Sequence, residues 1–250
     1  MKKIEKIAKT FFDKFFWGQH PETALRYLPV VKEIKKAGLS DSKILEIGPG
    51  SLGIIPYLRR EIDGIDVDFS GPKTNLLNKI RGKADQLPFK KNSYDVCISV
   101  DVLEHLPSQN REKAIYEMLR VAKKMAIIVV PTGIYSERQD KQIKKIWNKM
   151  FNKDDQFLEE HLKYGLPQPE EILVYIDKSA RKLNKQAKTK SYPSLNLTVR
   201  NLLMRTWITK NRFIYYLYLK GYLLLLPILR VCNFGTTYRR VFVVEFLPHL

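Results

Sequence analysis

Residues 43–58, "KILEIGPGSLGIIPYL", run from an apolar segment through Glu46, Gly48 and Gly50 into a second apolar-periodic segment. That order reads as strand, tight turn, helix. Glycines at such a turn let a ligand approach bare backbone, and free N–H groups at a helix start receive carboxylate or phosphate. Twenty residues after Glu46, "EIDGIDVD" closes another short apolar run on Asp66, with Asp68 two residues on. An acid at a strand tip can accept hydrogen bonds from both hydroxyls of a ribose. No Gly-Lys-Ser/Thr follows the turn, which excludes P-loop chemistry. The position of Gly53 is read against a dinucleotide oxidoreductase.

The elements that must hold these groups follow from the period of the apolar residues. Strands are expected at 43–47, 62–67, 82–84, 94–100 and 125–130, and helices at 54–60, 74–79 and 112–122. Alternation of this kind implies an α/β fold with a doubly wound, mostly parallel sheet. Such sheets bind ligands outside the carboxyl ends of their strands. Residues 1–39 read as a helical segment, beginning with an amphipathic helix at the amino terminus and a second helix opened by Pro29. Residues 40–135 read as the ligand-binding core, 136–238 as a helical insert and 239–250 as a closing strand. Within the insert, "NKQAKTKSYP" reads as a basic loop or an edge-strand approach.

Four segments in order, "EIGPG", "GIDVD", "ADQLPF" and "YDVCISVDVLEHLP", resemble the class I S-adenosylmethionine-dependent methyltransferases, in particular those with an LPF and LEH signature. The resemblance covers roughly residues 40 to 135. It implies a Rossmann-like sheet of seven strands with the last antiparallel, and S-adenosyl-L-methionine as cofactor. It also implies roles for matching positions. Glu46, Gly48 and Gly50 would line the methionine end, Asp66 would hold the ribose and Val67 would pack beside the adenine. Ala84 and Asp85 would flank the adenine ring, and Ser99 and Asp101 would close the floor. His105, near the mouth of the site, and His161, in the insert, are candidate general bases; each is equally readable as a structural or surface histidine. Tyr135 is a candidate to face the substrate. No Cys/His spacing suggests a metal.

A looser resemblance, through "EHLKYGLPQPEEI" and the apolar segment before the last strand, is to methyltransferases of polysaccharide and surface-glycan biosynthesis. It implies O-methylation of a small-molecule or glycan hydroxyl, with a lipid-linked acceptor as one form. No N-P-P-Y or D-P-P-Y tetrapeptide follows the fourth strand, which argues against amide or base-nitrogen methylation of nucleic acid.

Charge bears on the acceptor. The chain has 250 residues and a formal net charge of +18. From Lys178 to Leu250 there are fourteen basic residues against one acid, Glu245. Such a field favours anionic partners. An anionic membrane surface fits "RFIYYLYLKGYLLLLPIL", which is apolar, broken by Lys220 and Pro227, and flanked by basic residues. The alternative is a helix pair packed on the core. RNA methylation, or a non-catalytic binding protein on the same fold, remain alternatives. No membrane span is expected. Cys97 and Cys232 lie far apart, so a reducing, cytoplasmic setting is the simpler reading.

Overall fold

In the computed structural model, which describes residues 10–12 and 14–247, seven strands form one sheet. They are β1 (Ile44–Ile47), β2 (Ile62–Asp66), β3 (Leu77–Arg81), β4 (Tyr94–Val100), β5 (Ala122–Pro131), β6 (Ala187–Asn196) and β7 (Thr237–Phe246). The order across the sheet is β3-β2-β1-β4-β5-β7-β6. Strands β1 to β5 pair in parallel, and β7 runs antiparallel between β5 and β6. This is the expected mostly parallel sheet with its last strand reversed. The amphipathic helix expected at the amino terminus falls largely outside the described residues.

The central strands are apolar on both faces because helices cover both. Helices α3 (Ser108–Val121) and α6 (Pro169–Lys182) cover one face, where Ile115, Met118, Ile172 and Ile176 pack on Leu45, Cys97 and Ile128. Helix α1 (Pro21–Lys36) and the single turn α2 (Ile55–Leu58) cover the other, with Val30, Ile34 and Ile55 clustered with Ile44, Ile98 and Ile127. Helix α1 is thus part of the core layer. Pro21, not Pro29, opens α1; its ring presets φ where no helical N–H bond is needed. Pro29 lies inside the helix.

Two strand expectations need correction. Residues 74–79 do not form a helix, and the third strand is Leu77–Arg81 rather than 82–84. It pairs with β2 from Ile62↔Leu77 to Asp66↔Arg81. Gly64 makes the pairing close: a Cβ there would lie 2.7 Å from Leu77 Cδ1. The insert at 136–238 is not purely helical either, because β6 within it joins the core sheet as an edge strand beside β7. Pro193 in β6 pairs opposite Arg240, which an edge position tolerates.

The rest of the insert is helical. Helices α4 (Gly133–Phe151) and α5 (Gln156–Tyr164) follow β5, and α7 (Leu197–Trp207) follows β6. A run of short helical turns then extends from Arg212 to Leu229, ahead of β7. Its buried face, Tyr218, Leu223 and Leu226, packs with Ala24, Leu25 and Leu203.

Candidate cofactor site and the polar cluster beyond it

The turn after β1 and the tip of β2 meet. Gly48 (φ +73°) and Gly50 (φ +58°) both adopt the left-handed conformation that disfavours side chains. A Cβ on Gly48 would come closer than 3.0 Å to Val102 Cγ2, whereas one on Gly50 would meet nothing within 4 Å. The Gly50 N–H donates to Asp66 Oδ2 at 2.8 Å, and Asp66 Oδ1 accepts from the Val67 N–H at 2.7 Å. Asp66 is half-buried, and Val67 beside it is 66% exposed, an aliphatic surface at the carboxyl end of the sheet. Ala84 and Ser99 line one small cavity with Ile47 and Leu103, so the loop after β3 and the end of β4 do converge there. Asp85 accepts from Asn110 at 3.3 Å and thereby ties that loop to α3.

Glu46 is wholly buried under the turn, where Oε2 accepts from the Ile54 N–H at 2.8 Å and Oε1 has no hydrogen-bond partner. Burial pushes its carboxyl up to about 7 against the Ile54 N–H and the neighbouring Tyr27 hydroxyl. The folded state therefore holds this proton more tightly than the unfolded chain does. Its stabilising contribution is complete below about pH 4.5 and is lost as pH rises to 7, roughly 3 kcal/mol over the interval. Glu46→Gln removes the titration, so its stability should fall less than that of the wild type between pH 5 and 8. Urea denaturation across that range checks this, and equal slopes would refute the assignment.

Asp101 does not offer its carboxylate to the floor of the site. Held at φ +52° just past β4, it accepts three bonds from Arg239, Nε to Oδ1 at 2.8 Å and to Oδ2 at 3.0 Å and Nη2 to Oδ2 at 2.6 Å, while Arg26 lies 3.1 Å away. Arg239 also reaches Glu22 at 2.6 Å, and Arg26 pairs with Glu22 as well. Burial raises both carboxyls, but Arg239 and Arg26 outweigh it and hold them below the usual range. This buried network joins the end of β4 to α1 and β7.

Just past Asp101, Leu103–His105 form a single tight turn. The structure brings His105 and His161 together, with ring centroids 4.9 Å apart. His105 Nδ1 lies 2.7 Å from Glu160 Oε2, and His161 Nδ1 lies 2.9 Å from Asp140 Oδ2. Asp140 is fixed in turn by Arg200 at 2.7 Å and Tyr238 at 3.0 Å. Glu104, between them, is fully buried, and neither of its carboxylate oxygens has a hydrogen-bond partner. Burial, and then the Asp101 charge, raise its carboxyl well above the usual value. Sequence reading treated the two histidines separately and passed over Glu104, Asp140 and Arg200. The repeated Glu-His pairs in "LEHLP" and "EEHLK" were the available signal. Tyr135 is 60% exposed, near the start of α4.

Gly48, Gly50 and Gly53 do follow G-x-G-x-x-G, so the turn by itself does not disfavour a dinucleotide site. The sheet separates the two folds, since the dinucleotide order 3-2-1-4-5-6 has no reversed strand inserted beside β5.

Residues 45–130 match the family described as "Methyltransferase domain". Among solved structures of similar fold is the magnesium protoporphyrin IX methyltransferase of Synechocystis PCC 6803 with bound SAH (TM-score 0.52, 15% identity, covering 94% of this chain and 87% of that one). Another is an S-adenosylmethionine-dependent methyltransferase of Thermotoga maritima (TM-score 0.50, 14% identity, 90% and 98% covered). An uncharacterized protein of Haemophilus influenzae is 30% identical over 112 residues, 38% of this chain. The match spans 45% of that relative's length. The sheet order and the reversed β7 are those of the Rossmann-like methyltransferase fold, and within that sheet residues 45–130 are the part that matches the methyltransferase-domain family.

Proposed function

We propose that the protein transfers a methyl group from S-adenosyl-L-methionine to a hydroxyl of a small-molecule or glycan acceptor. The observation that carries the cofactor reading is the bond between Asp66 and the Gly50 N–H, which joins a carboxylate and a bare-backbone turn at the tips of adjacent parallel strands. Asp66 Oδ1 already accepts from the Val67 and Asp68 N–H groups, but Oδ2 accepts only from Gly50 and has capacity left for a ribose hydroxyl, and Val67 offers the apolar face for an adenine. The partnerless Oε1 of Glu46 would take a donor from the methionine end. Gly48, Ala84, Asp85 and Ser99 shape the walls between them. The cofactor supplies an activated methyl on a sulfonium. The chain's part is chiefly alignment, which can be worth roughly 7–11 kcal/mol. A hydroxyl acceptor also needs help in losing its proton, and the cluster of Glu104, His105 and His161, which the end of β4 and α5 bring together, is where that help would come from.

The carboxyl-terminal helical run supports a membrane-borne acceptor. One side packs on the core, as the helix-pair alternative requires, yet Phe213, Leu217, Leu224, Ile228, Val231 and Phe234 are all more than half exposed. Arg212, Lys220 and Arg230 are interleaved with them. Apolar side chains ringed by cations suit the interface of an anionic bilayer. No helix among the described residues is long and apolar enough to cross a membrane.

Tritium transfer from labelled cofactor into separated glycan, lipid and RNA fractions tests the acceptor. Label in glycan or glycolipid is expected, and label confined to RNA would replace this reading with RNA methylation. For the cofactor, Asp66→Ala should weaken S-adenosylhomocysteine binding at least tenfold in calorimetry with the fold intact. Unchanged affinity would remove the ribose assignment, and no binding by the wild type would leave a non-catalytic protein on this fold.

A further inference from the structure

The cluster past β4 has the composition of a cation site. A carboxylate oxygen of Glu104 and one nitrogen each of His105 and His161 all lie within 4.8 Å of one another. Glu104 is fully buried with both oxygens free of protein partners, and its Oε1 lies 3.9 Å from His161 Nε2. A buried carboxyl whose oxygens meet no hydrogen-bond partner is costly unless something cationic or hydrogen-bonding meets it. His161 Nδ1 lies against Asp140 Oδ2, and its Nε2 is the ring nitrogen that faces Glu104. A carboxylate behind an imidazole is the arrangement that orients metal-binding histidines and strengthens them as ligands. Glu160 stands in the same relation to His105.

The cluster is also braced. Buried Arg111 donates Nε to the Leu103 carbonyl at 2.9 Å and Nη2 to the Tyr164 carbonyl at 3.1 Å. It thus ties the turn carrying Glu104 and His105 to the end of the helix carrying His161. Ligand atoms about 2.0–2.2 Å from a tetrahedral cation lie roughly 3.3–3.6 Å apart, so small side-chain rotations close the set.

We infer that Glu104, His105 and His161 bind a divalent first-row transition-metal cation, with Asp140 and Glu160 orienting the two imidazoles. Two imidazoles and one carboxylate suit zinc, iron or cobalt better than magnesium or calcium. Three protein ligands leave a position for water or another oxygen ligand. Val102, whose side chain abuts Gly48, begins the turn, so the cation sits one turn from the cofactor loop. That the open position receives the acceptor hydroxyl rests on the proposed function; binding of the cation does not.

The test uses the tag-free full chain, stripped by chelator and titrated with Co2+ alone. Saturable binding at one cation per chain is expected, with the visible absorption of a low-coordinate site. Asp140→Asn should weaken binding about 10- to 100-fold. His105→Ala, which removes a partly exposed side chain, should weaken it at least tenfold while S-adenosylhomocysteine binding persists. Independently of any variant, Co2+ should broaden the imidazole proton resonances of two of the four histidines in the wild type. Affinity unchanged in His105→Ala, or broadening that spares His105 and His161, overturns the inference. A chain that binds Co2+ but not S-adenosylhomocysteine would keep this site and lose the methyltransfer reading; the reverse result would do the opposite.

Discussion

Arg239→Ala should cost about 3–5 kcal/mol of folding stability, the range for removing one partner from a buried ion network. Arg239 is 3% exposed and is shared by Asp101 and Glu22, both buried. Without it, Arg26 alone remains to compensate two carboxylates, and it sits at the edge of the network with 31% of its side chain exposed. The loss should be partly recovered by lowering pH. In the wild type the arginines hold both carboxyls below their ordinary values, so acid weakens the network. In the variant, burial dominates and raises those carboxyls, so the folded state gains from protonation as pH falls towards 5. Urea unfolding at pH 5 and 8 measures both effects. A loss under about 1 kcal/mol at pH 8 would mean that water, and not Arg239, neutralises the pair.

Gly48→Val should abolish detectable cofactor binding. The residue would have to hold φ near +73° with a β-branched side chain, a strain of about 1–3 kcal/mol. Its Cβ would also collide with Val102, adding roughly 1–3 kcal/mol of overpacking. The turn relieves both by moving, which carries the Gly50 N–H away from Asp66. The effect should therefore exceed that of Asp66→Ala. Adding Val102→Ala should recover some stability but little affinity, because the backbone strain persists. Calorimetry with S-adenosylhomocysteine on the single and double variants separates the two contributions. Wild-type affinity in Gly48→Val would mean that the turn does not touch the cofactor.

The parts of this fold that were legible in the sequence are those fixed by local pattern. The apolar runs of β1, β4, β5 and β7 are buried on both faces and could be read directly. The glycine turn and Asp66 were legible because their chemistry demands particular residue types. Strand β3 is hard to place from sequence because "NLLNKI" turns Leu76, Leu77 and Ile80 to the core, a spacing that also fits a helix turn. What makes it a strand is the open edge of β2, with Gly64 making room for Leu77. Strand β6 is polar, carries Pro193 and draws its identity from pairing with β7. Asp101 could be seen to lie past β4, but its engagement depends on Arg239, far along the chain. The Glu104 cluster shows in sequence only as two separate Glu-His pairs, for the same reason: His161 arrives from α5, and Asp140 and Arg200 from two further helices.

The two margins of the sheet have a bearing on how copies of the protein meet. On one side β3 is five residues long and ends in Arg81; on the other, β6 carries Lys188 and an imino acid that cannot donate a hydrogen bond. Strand addition from a neighbouring molecule is discouraged at both borders, by brevity and cationic side chains at one and by a missing donor at the other. Crowded or overexpressed protein should therefore cluster through its greasy carboxyl-terminal face, reversibly and in a detergent-sensitive way, and not by cross-β growth.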